Sequence, residues 1–482
     1  MATATAGLNN IVKIEIPQGI RESRHKLDPV WSNIVTTSMG VKRDGIGQGW
    51  NFKLAWTTSE AGAYQFEPTG VLQGTTLTDL SGSADVVASQ AAAGNGWPGI
   101  GETTLPVFFQ KTVTLKEARG NLVVPMKWLQ VDEFDSAVGS AVKLILRGCA
   151  RKAARAHAIA FYVTDATDFH VISSLAASVD AISHVIEIDN SDAAKATGRI
   201  QSFANGSMID IWANGGATRR NTTGEPWVVT RHDPIENKMT IAAMNGSDTA
   251  TITAEDFITL RSNVNADANA SNMPSGLRSW MSSGTPAAPF GITLADHPEF
   301  KSFVVAESGP LTERMLNKYV GSFLDRMGTF CDLDTILTPT GVLLAYLANE
   351  DNLSTYERNG RRMTVKGGWT DVSYAYQTFN FKWGISQFIQ PNSCHVLKLG
   401  DNNIKEYVPP PTPGAGKGAE FGNELSFLAP LSGFNGIFMN LQTSGAAPTD
   451  NLQAPFWRIC ELSPEQPQGI ILTGLDEETY EG

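Results

Sequence analysis

Two glycine-rich runs and one row of basic side chains are the features of this sequence that could do chemistry. Gly94-Asn-Gly96-Trp-Pro-Gly99 has the spacing of a dinucleotide loop, where glycines let a pyrophosphate meet the N-terminus of a following helix. Pro98 stands inside the run, and Ile100-Gly-Glu-Thr-Thr-Leu-Pro106 opens no helix, so the spacing does not amount to a cofactor site. Gly414-Ala-Gly416-Lys417-Gly418 carries the lysine of a phosphate-binding loop. Pro411 replaces the first glycine of that loop and Gly418 its hydroxyl residue. The seven histidines form no HExxH and no pair at helical spacing, and Cys149, Cys331, Cys394 and Cys460 are widely separated. A zinc site therefore has no support. No GxSxG run offers a serine nucleophile. Glu350-Asp351 and Asp132-Glu133 read as helix-end carboxylates rather than an acid/base pair. The expectation is a protein that is not an enzyme, with no catalytic residue, cofactor or metal.

The basic row is Lys143, Arg147, Arg151 and Arg155, repeating every four residues. Such a row shares one face of a helix. That helix is predicted over about 131–162, because Val131, Phe134, Val138, Val142, Ile145 and Cys149 recur every three or four residues. Asp132, Glu133 and Asp135 fall in its first turn, where the helix dipole favours anions. The basic row is open to two readings, a solvated face or a contact with an acidic neighbour or nucleic acid. His157 on the same helix reads as a packed or solvated residue, not a ligand.

Composition narrows the function further. Of 482 residues, 37 are Lys or Arg and 49 Asp or Glu, a formal charge of −12. An acidic chain is a poor nucleic-acid binder, since phosphate affinity comes from displaced counterions. Charged residues make up 18%, below the roughly 25% of an average soluble domain, which fits a surface largely occupied by partners. The beginning shows neither a basic n-region nor an apolar h-region, and no stretch is apolar enough to span a membrane. With no CxxC pair, the thiols are expected to be reduced, in a protein that folds in the cytosol.

The elements that would position these residues come next. Residues 1–45 read as an extended arm. Trp50, Phe52, Leu54 and Trp56 alternate with Asn51, Lys53 and Ala55, predicting a strand with one apolar face, and Phe109, Lys111, Val113 and Leu115 predict a second. Between them, residues 69–107 are rich in Gly, Ala, Ser and Thr, with Asp79, Asp85 and Glu102 as the charges. So long a connection is unusual within a compact domain. The pair is therefore expected to bury its aromatic face on another chain. Short β-rich runs over 183–262, punctuated by Asn205-Gly206, Asn214-Gly215-Gly216 and Asn245-Gly246, predict a small inserted barrel or sandwich. Leu311, Met315, Leu316, Tyr319, Val320, Phe323 and Leu324 mark an amphipathic helix, and Thr338-Pro339 opens another. Strands follow through Tyr374–Ile385 and His395–Leu399. The acidic tail Asp476-Glu477-Glu478 reads as solvated.

This order of parts resembles the major capsid proteins of tailed bacteriophages, the Hong Kong 97-like fold. The stretches that carry the resemblance are Phe109–Pro125, Ser275-Gly276-Leu277, Pro298-Glu-Phe300, Leu311–Met327, and Phe379–Gly384 with Gln390–Leu399. It implies an α+β chain with an N-arm at 1–45 and an E-loop at 46–112. A peripheral domain would occupy 113–182 with its spine helix at about 131–162. An inserted β-barrel or sandwich would follow at 183–262, a linker and axial domain at 263–440, and a C-terminal return to the peripheral domain at 441–482. The implied function is a structural subunit of an icosahedral capsid, forming pentamers and hexamers around double-stranded DNA that is enclosed rather than sequence-specifically bound. Its partners would be itself, a separate scaffolding protein, a portal and a cement or decoration protein, with no membrane. Its location would be the virion, assembled in the host cytoplasm. Trp50, Phe52, Leu54, Trp56 and Phe109 would make the intersubunit contact. Some relatives crosslink an E-loop lysine, but Lys53 and Lys111 lie in the strands, so no crosslink is expected. The rival readings are another β-rich virion or surface protein, such as a tail tube or adhesin, and a hydrolase using the axial-domain loops.

Overall fold

The computed structural model describes residues 28–43, 50–57, 108–125, 137–162, 172–178, 183–188, 203–213, 218–220, 226–233, 238–244, 252–260, 273–281, 283, 290, 292–295, 298–327, 332–353, 373–376, 379–410 and 451–478. The chain is mixed α+β and divides into two compact units. The larger comprises Met1–Phe52 and Thr114–Gly482, the smaller Lys53–Val113.

A 3-10 turn at Pro29–Asn33 is followed by β1 (Val35–Thr37), β2 (Lys42–Arg43), β3 (Trp50–Thr57), β4 (Phe108–Thr114) and β5 (Lys116–Pro125). Helix α1 (Ala137–Tyr162) leads into β6 (Ile172–Ser178), β7 (Ser183–Ile188), β8 (Met208–Trp212), β9 (Trp227–Asp233), β10 (Lys238–Ala243) and β11 (Phe257–Leu260). After a helical turn at Leu277–Trp280 come β12 (Phe303–Gly309), α2 (Glu313–Met327), β13 (Thr335–Thr338) and α3 (Thr340–Leu353). The rest is β14 (Ser373–Tyr376), β15 (Phe379–Ile385), β16 (Ser393–Leu397), β17 (Ile404–Tyr407), β18 (Asn451–Pro464) and β19 (Ile470–Leu475).

One six-stranded sheet has the order β12-β19-β16-β13-β15-β14. Its residues alternate between two cores, as the two-residue period of a strand requires. Ile336, Phe381, Trp383, Cys394, Val396, Ile470 and Leu472 face α2 and α3, meeting Leu316, Val320, Phe323, Val342, Leu343 and Tyr346. Leu337, Leu397 and Ile471 join a second core on the other face. The Thr312 hydroxyl accepts the Met315 N–H at 3.2 Å and so caps α2. Thr338 ends β13 instead of capping α3, because its hydroxyl accepts the Trp383 indole N–H at 2.8 Å.

The second core joins distant parts of the chain. It combines Val30, Trp31 and Ile34 with Ala158–Tyr162 of α1, with Trp280 and Met281, and with the buried residues of another six-stranded sheet, β11-β8-β9-β10-β7-β6. This second sheet holds the described strands of the segment at 183–262, where a barrel or sandwich is expected. It begins at Ile172, and among the described residues β11 and β6 stand at its ends. Its Ile186, Ile209, Ile211, Trp227, Val229, Met239 and Ile241 share a core with α1 and Trp280.

A four-stranded sheet has the order β1-β17-β18-β5, and β2-β3-β4 form a three-stranded one. β18 pairs with β5 along Asn451–Cys460 and with β17 along Glu461–Pro464. The tail at 441–482 thus divides. β18 returns to β5, whereas β19 is an interior strand of the helix-covered sheet, parallel to β12 and antiparallel to β16. The acidic tail is also not simply solvated, since a Glu477 carboxylate oxygen accepts the Asn392 N–H at 2.8 Å. α1 begins at Ala137; Val131, Asp132, Glu133, Phe134 and Asp135 lie outside the described residues.

Candidate intersubunit surface

The N-terminal segment is anchored by buried groups. Asp28 caps the 3-10 turn, its Oδ1 accepting the Val30 N–H at 3.1 Å. The carboxyl is fully buried near the Tyr162 hydroxyl and Ser386. Burial pushes its pKa up to about 6, while Tyr162, Val30 and Ser386 pull it down more weakly. Burial, reinforced by the Asp28 charge, drives the Tyr162 phenol well above its ordinary value. Trp31 is buried against Phe161 with ring centroids 5.8 Å apart, and Phe161 meets Trp280 edge-on at 6.1 Å. The segment then becomes the edge strand β1, parallel to β17, where the Thr36 hydroxyl donates to Glu406 Oε2 at 3.2 Å.

β3 keeps the expected alternation, with Lys53 and Ala55 exposed while Phe52 and Leu54 are buried. Phe52 is covered from within the chain. Phe52 is 2% exposed, and its ring lies on Tyr407 of the same chain with centroids 3.9 Å apart and planes 6° from parallel. Leu54 is likewise buried. Trp50 is half-buried; the side chains of Trp56 and Phe109 lie outside the described residues. Lys53 is exposed and Lys111 half-buried in their strands. Sequence reasoning missed Tyr407. The one available signal was the alternation Ile404-Lys405-Glu406-Tyr407, a strand too short to stand out.

The basic row of α1 separates into parts. Arg147 and Arg151 are exposed, and the Lys143 side chain lies outside the described residues. Arg155 is half-buried; its Nε has no hydrogen-bond partner and burial lowers its pKa. Lys152, off the four-residue repeat, is exposed beside Arg151 and donates from Nζ to the Gly206 carbonyl at 3.3 Å. Among the described residues of α1 the exposed cations are Arg147, Arg151 and Lys152, while its last turns, including His157, sink into the core.

The other reactive side chains sit in the interior. Burial raises the Cys149 thiol to about 11 and the Cys394 thiol higher still. His395, buried beside the charge of Arg278, is pushed down to about 3. Among the described residues no group of three His, Cys, Asp or Glu side chains could hold a metal ion, and no helix is long and apolar enough to cross a membrane. The glycine runs at 94–99 and 414–418 lie outside the described residues.

No family model matches the chain, and no curated protein matches it. Among solved structures the chain is similar to one in the capsid asymmetric unit of cyanophage A-1(L), at 10% identity and a TM-score of 0.38, covering 93% of this chain and 91% of that one. It is similar to a chain of Gordonia phage Cozz at 7% identity and a TM-score of 0.37, covering 94% and 87%. A third likeness is to the capsid of a native GTA particle, at 11% identity and a TM-score of 0.33, covering 88% and 85%.

Proposed function

We propose that this chain is a structural subunit of an icosahedral viral capsid of the Hong Kong 97-like type, forming pentamers and hexamers that enclose double-stranded DNA. The observation that supports this reading most is the order of parts. An N-terminal segment pinned as an edge strand precedes a β excursion compact in its own right, Lys53–Val113. The 26-residue helix α1, an open sheet, a helix-covered sheet and the returning strand β18 follow. A closed shell needs contacts that repeat around rings while tolerating different angles. A chain of two compact units suits that need. Contact with a neighbour would fall to β3 and β4, which carry Trp50, Phe52, Leu54, Trp56 and Phe109, and to the exposed cations of α1. The acidic balance suits a container whose wall must not hold its DNA. A separate scaffolding protein, a portal and a cement protein would be its partners, the host cytoplasm its place of assembly and the virion its location.

The test is electron microscopy of the chain expressed alone and with a scaffolding protein. Closed shells of uniform diameter are expected in at least one of the two. A chain that stays monomeric in both, and also in lysate of infected cells, would overturn the reading.

A further inference from the structure

We propose that Tyr407 is a mechanical joint coupling the end of the N-terminal segment to the root of the β excursion, so that neither loosens without the other. The inference concerns the single chain and goes beyond the shell reading.

Tyr407 ends β17 and is held on three sides. Its backbone pairs with Thr37 of β1, and the next residue, Val408, donates its N–H to the Thr37 carbonyl at 2.9 Å. On the other edge of the strand it pairs with Glu461 of β18. Its ring lies flat on Phe52, the residue from which the chain leaves the larger unit. Thr37 and Phe52 are also joined along the chain. A turn at Ser38–Val41, with Gly40 at φ +77° and the Val41 N–H donating to the Ser38 carbonyl, leads into β2. β2 pairs Lys42 with Asn51, the residue before Phe52. The Trp50 carbonyl in turn accepts the Leu115 N–H at 2.8 Å, fixing the returning strand at the same place.

These contacts close a ring: Thr37, the turn, Asn51, Phe52, Tyr407 and back to Thr37. In a closed ring a displacement at one member must be taken up by the others. Phe52 cannot tilt without losing its flat contact with Tyr407, and Tyr407 cannot follow without straining its pairing with β1. Interior packing is bistable more than elastic, so the two roots should open as one unit.

Hydrogen exchange on the full chain, read by mass spectrometry, tests this. Phe52→Leu keeps apolar bulk and removes the ring stack. It should raise exchange at Val35–Thr37 and at Val408 by roughly five- to tenfold, although Phe52 belongs to neither strand. Thr36→Val removes the hydrogen bond to Glu406 and should reciprocally raise exchange at Leu115. Tyr407→Phe, which keeps the stack, should leave all these sites unchanged. Faster exchange confined to 42–57 and 108–115 in Phe52→Leu would overturn the proposal. So would strict additivity of Phe52→Leu and Thr36→Val in the double variant.

Discussion

A carboxylate oxygen of Glu461 accepts the backbone N–H of Ser275 at 2.5 Å, tying β18 to the chain that enters the helical turn at Leu277–Trp280. The same oxygen accepts the Leu462 N–H at 3.2 Å, while Oε2 is buried with no hydrogen-bond partner. Burial outweighs these bonds and the nearby charge of Lys116, pushing the carboxyl up to about 7. A carboxyl with a raised folded-state pKa stabilises the fold while protonated and loses that contribution as it ionises. Stability should therefore fall as pH rises from about 4.5 to about 7, by on the order of 3 kcal/mol from Glu461. Asp28 adds a smaller fall between about 4 and 6. Denaturant midpoints across this range check it, and Glu461→Gln should flatten the upper part of the profile. A variant that tracks the parent at every pH would refute the assignment.

Trp31→Ala removes the ring that ties the N-terminal segment to Phe161. Truncating a fully buried aromatic costs about 3–5 kcal/mol, and the loss should appear in urea midpoints. Limited proteolysis should cut within 28–37 faster in the variant than in the parent. An unchanged midpoint would mean that the segment is not part of the core.

Two glycines with the same backbone angle should respond differently to alanine. Gly40 and Gly474 both have φ +77°. A Cβ at Gly40 meets nothing within 4 Å, whereas at Gly474 it would lie 2.4 Å from the Glu307 carbonyl oxygen. Gly40→Ala should cost about 1–2 kcal/mol of left-handed strain alone. Gly474→Ala should cost clearly more, because the clash displaces β12 from β19. Equal thermal shifts for the two would contradict this.

Arg147 and Arg151 are exposed on α1. Reversing both to Glu should leave the denaturation midpoint within about 0.5 kcal/mol of the parent. On the proposed capsid function, where the pair meets acidic groups of an adjoining subunit, shell yield measured by sedimentation should drop. Normal shells with altered DNA content would place these arginines on the lumen side instead.

How much of this was legible beforehand depended on periodicity. α2 could be read from Leu311–Leu324 because its apolar residues repeat at helical spacing and line a single core. β3 and β15 could be read from their alternation. β13 could not, since Thr335–Thr338 is buried on both faces and shows no alternation. β18 carries Pro455, which reads as a strand breaker, although it pairs with Asn121. The covering of Phe52 could not be read, because Tyr407 approaches it only through the tertiary fold.

The position of β19 has a consequence for biosynthesis. It lies between β12 and β16, both of which leave the ribosome earlier. Until residues 470–475 have been translated, each of those strands has an open hydrogen-bonding edge and the sheet cannot be completed. Open edges of this kind recruit other chains, and nascent segments waiting for a distant partner are prone to aggregate. A stalled or prematurely terminated chain would therefore be recognisable to chaperones and proteases by an unfilled slot in its sheet, before it could join any assembly.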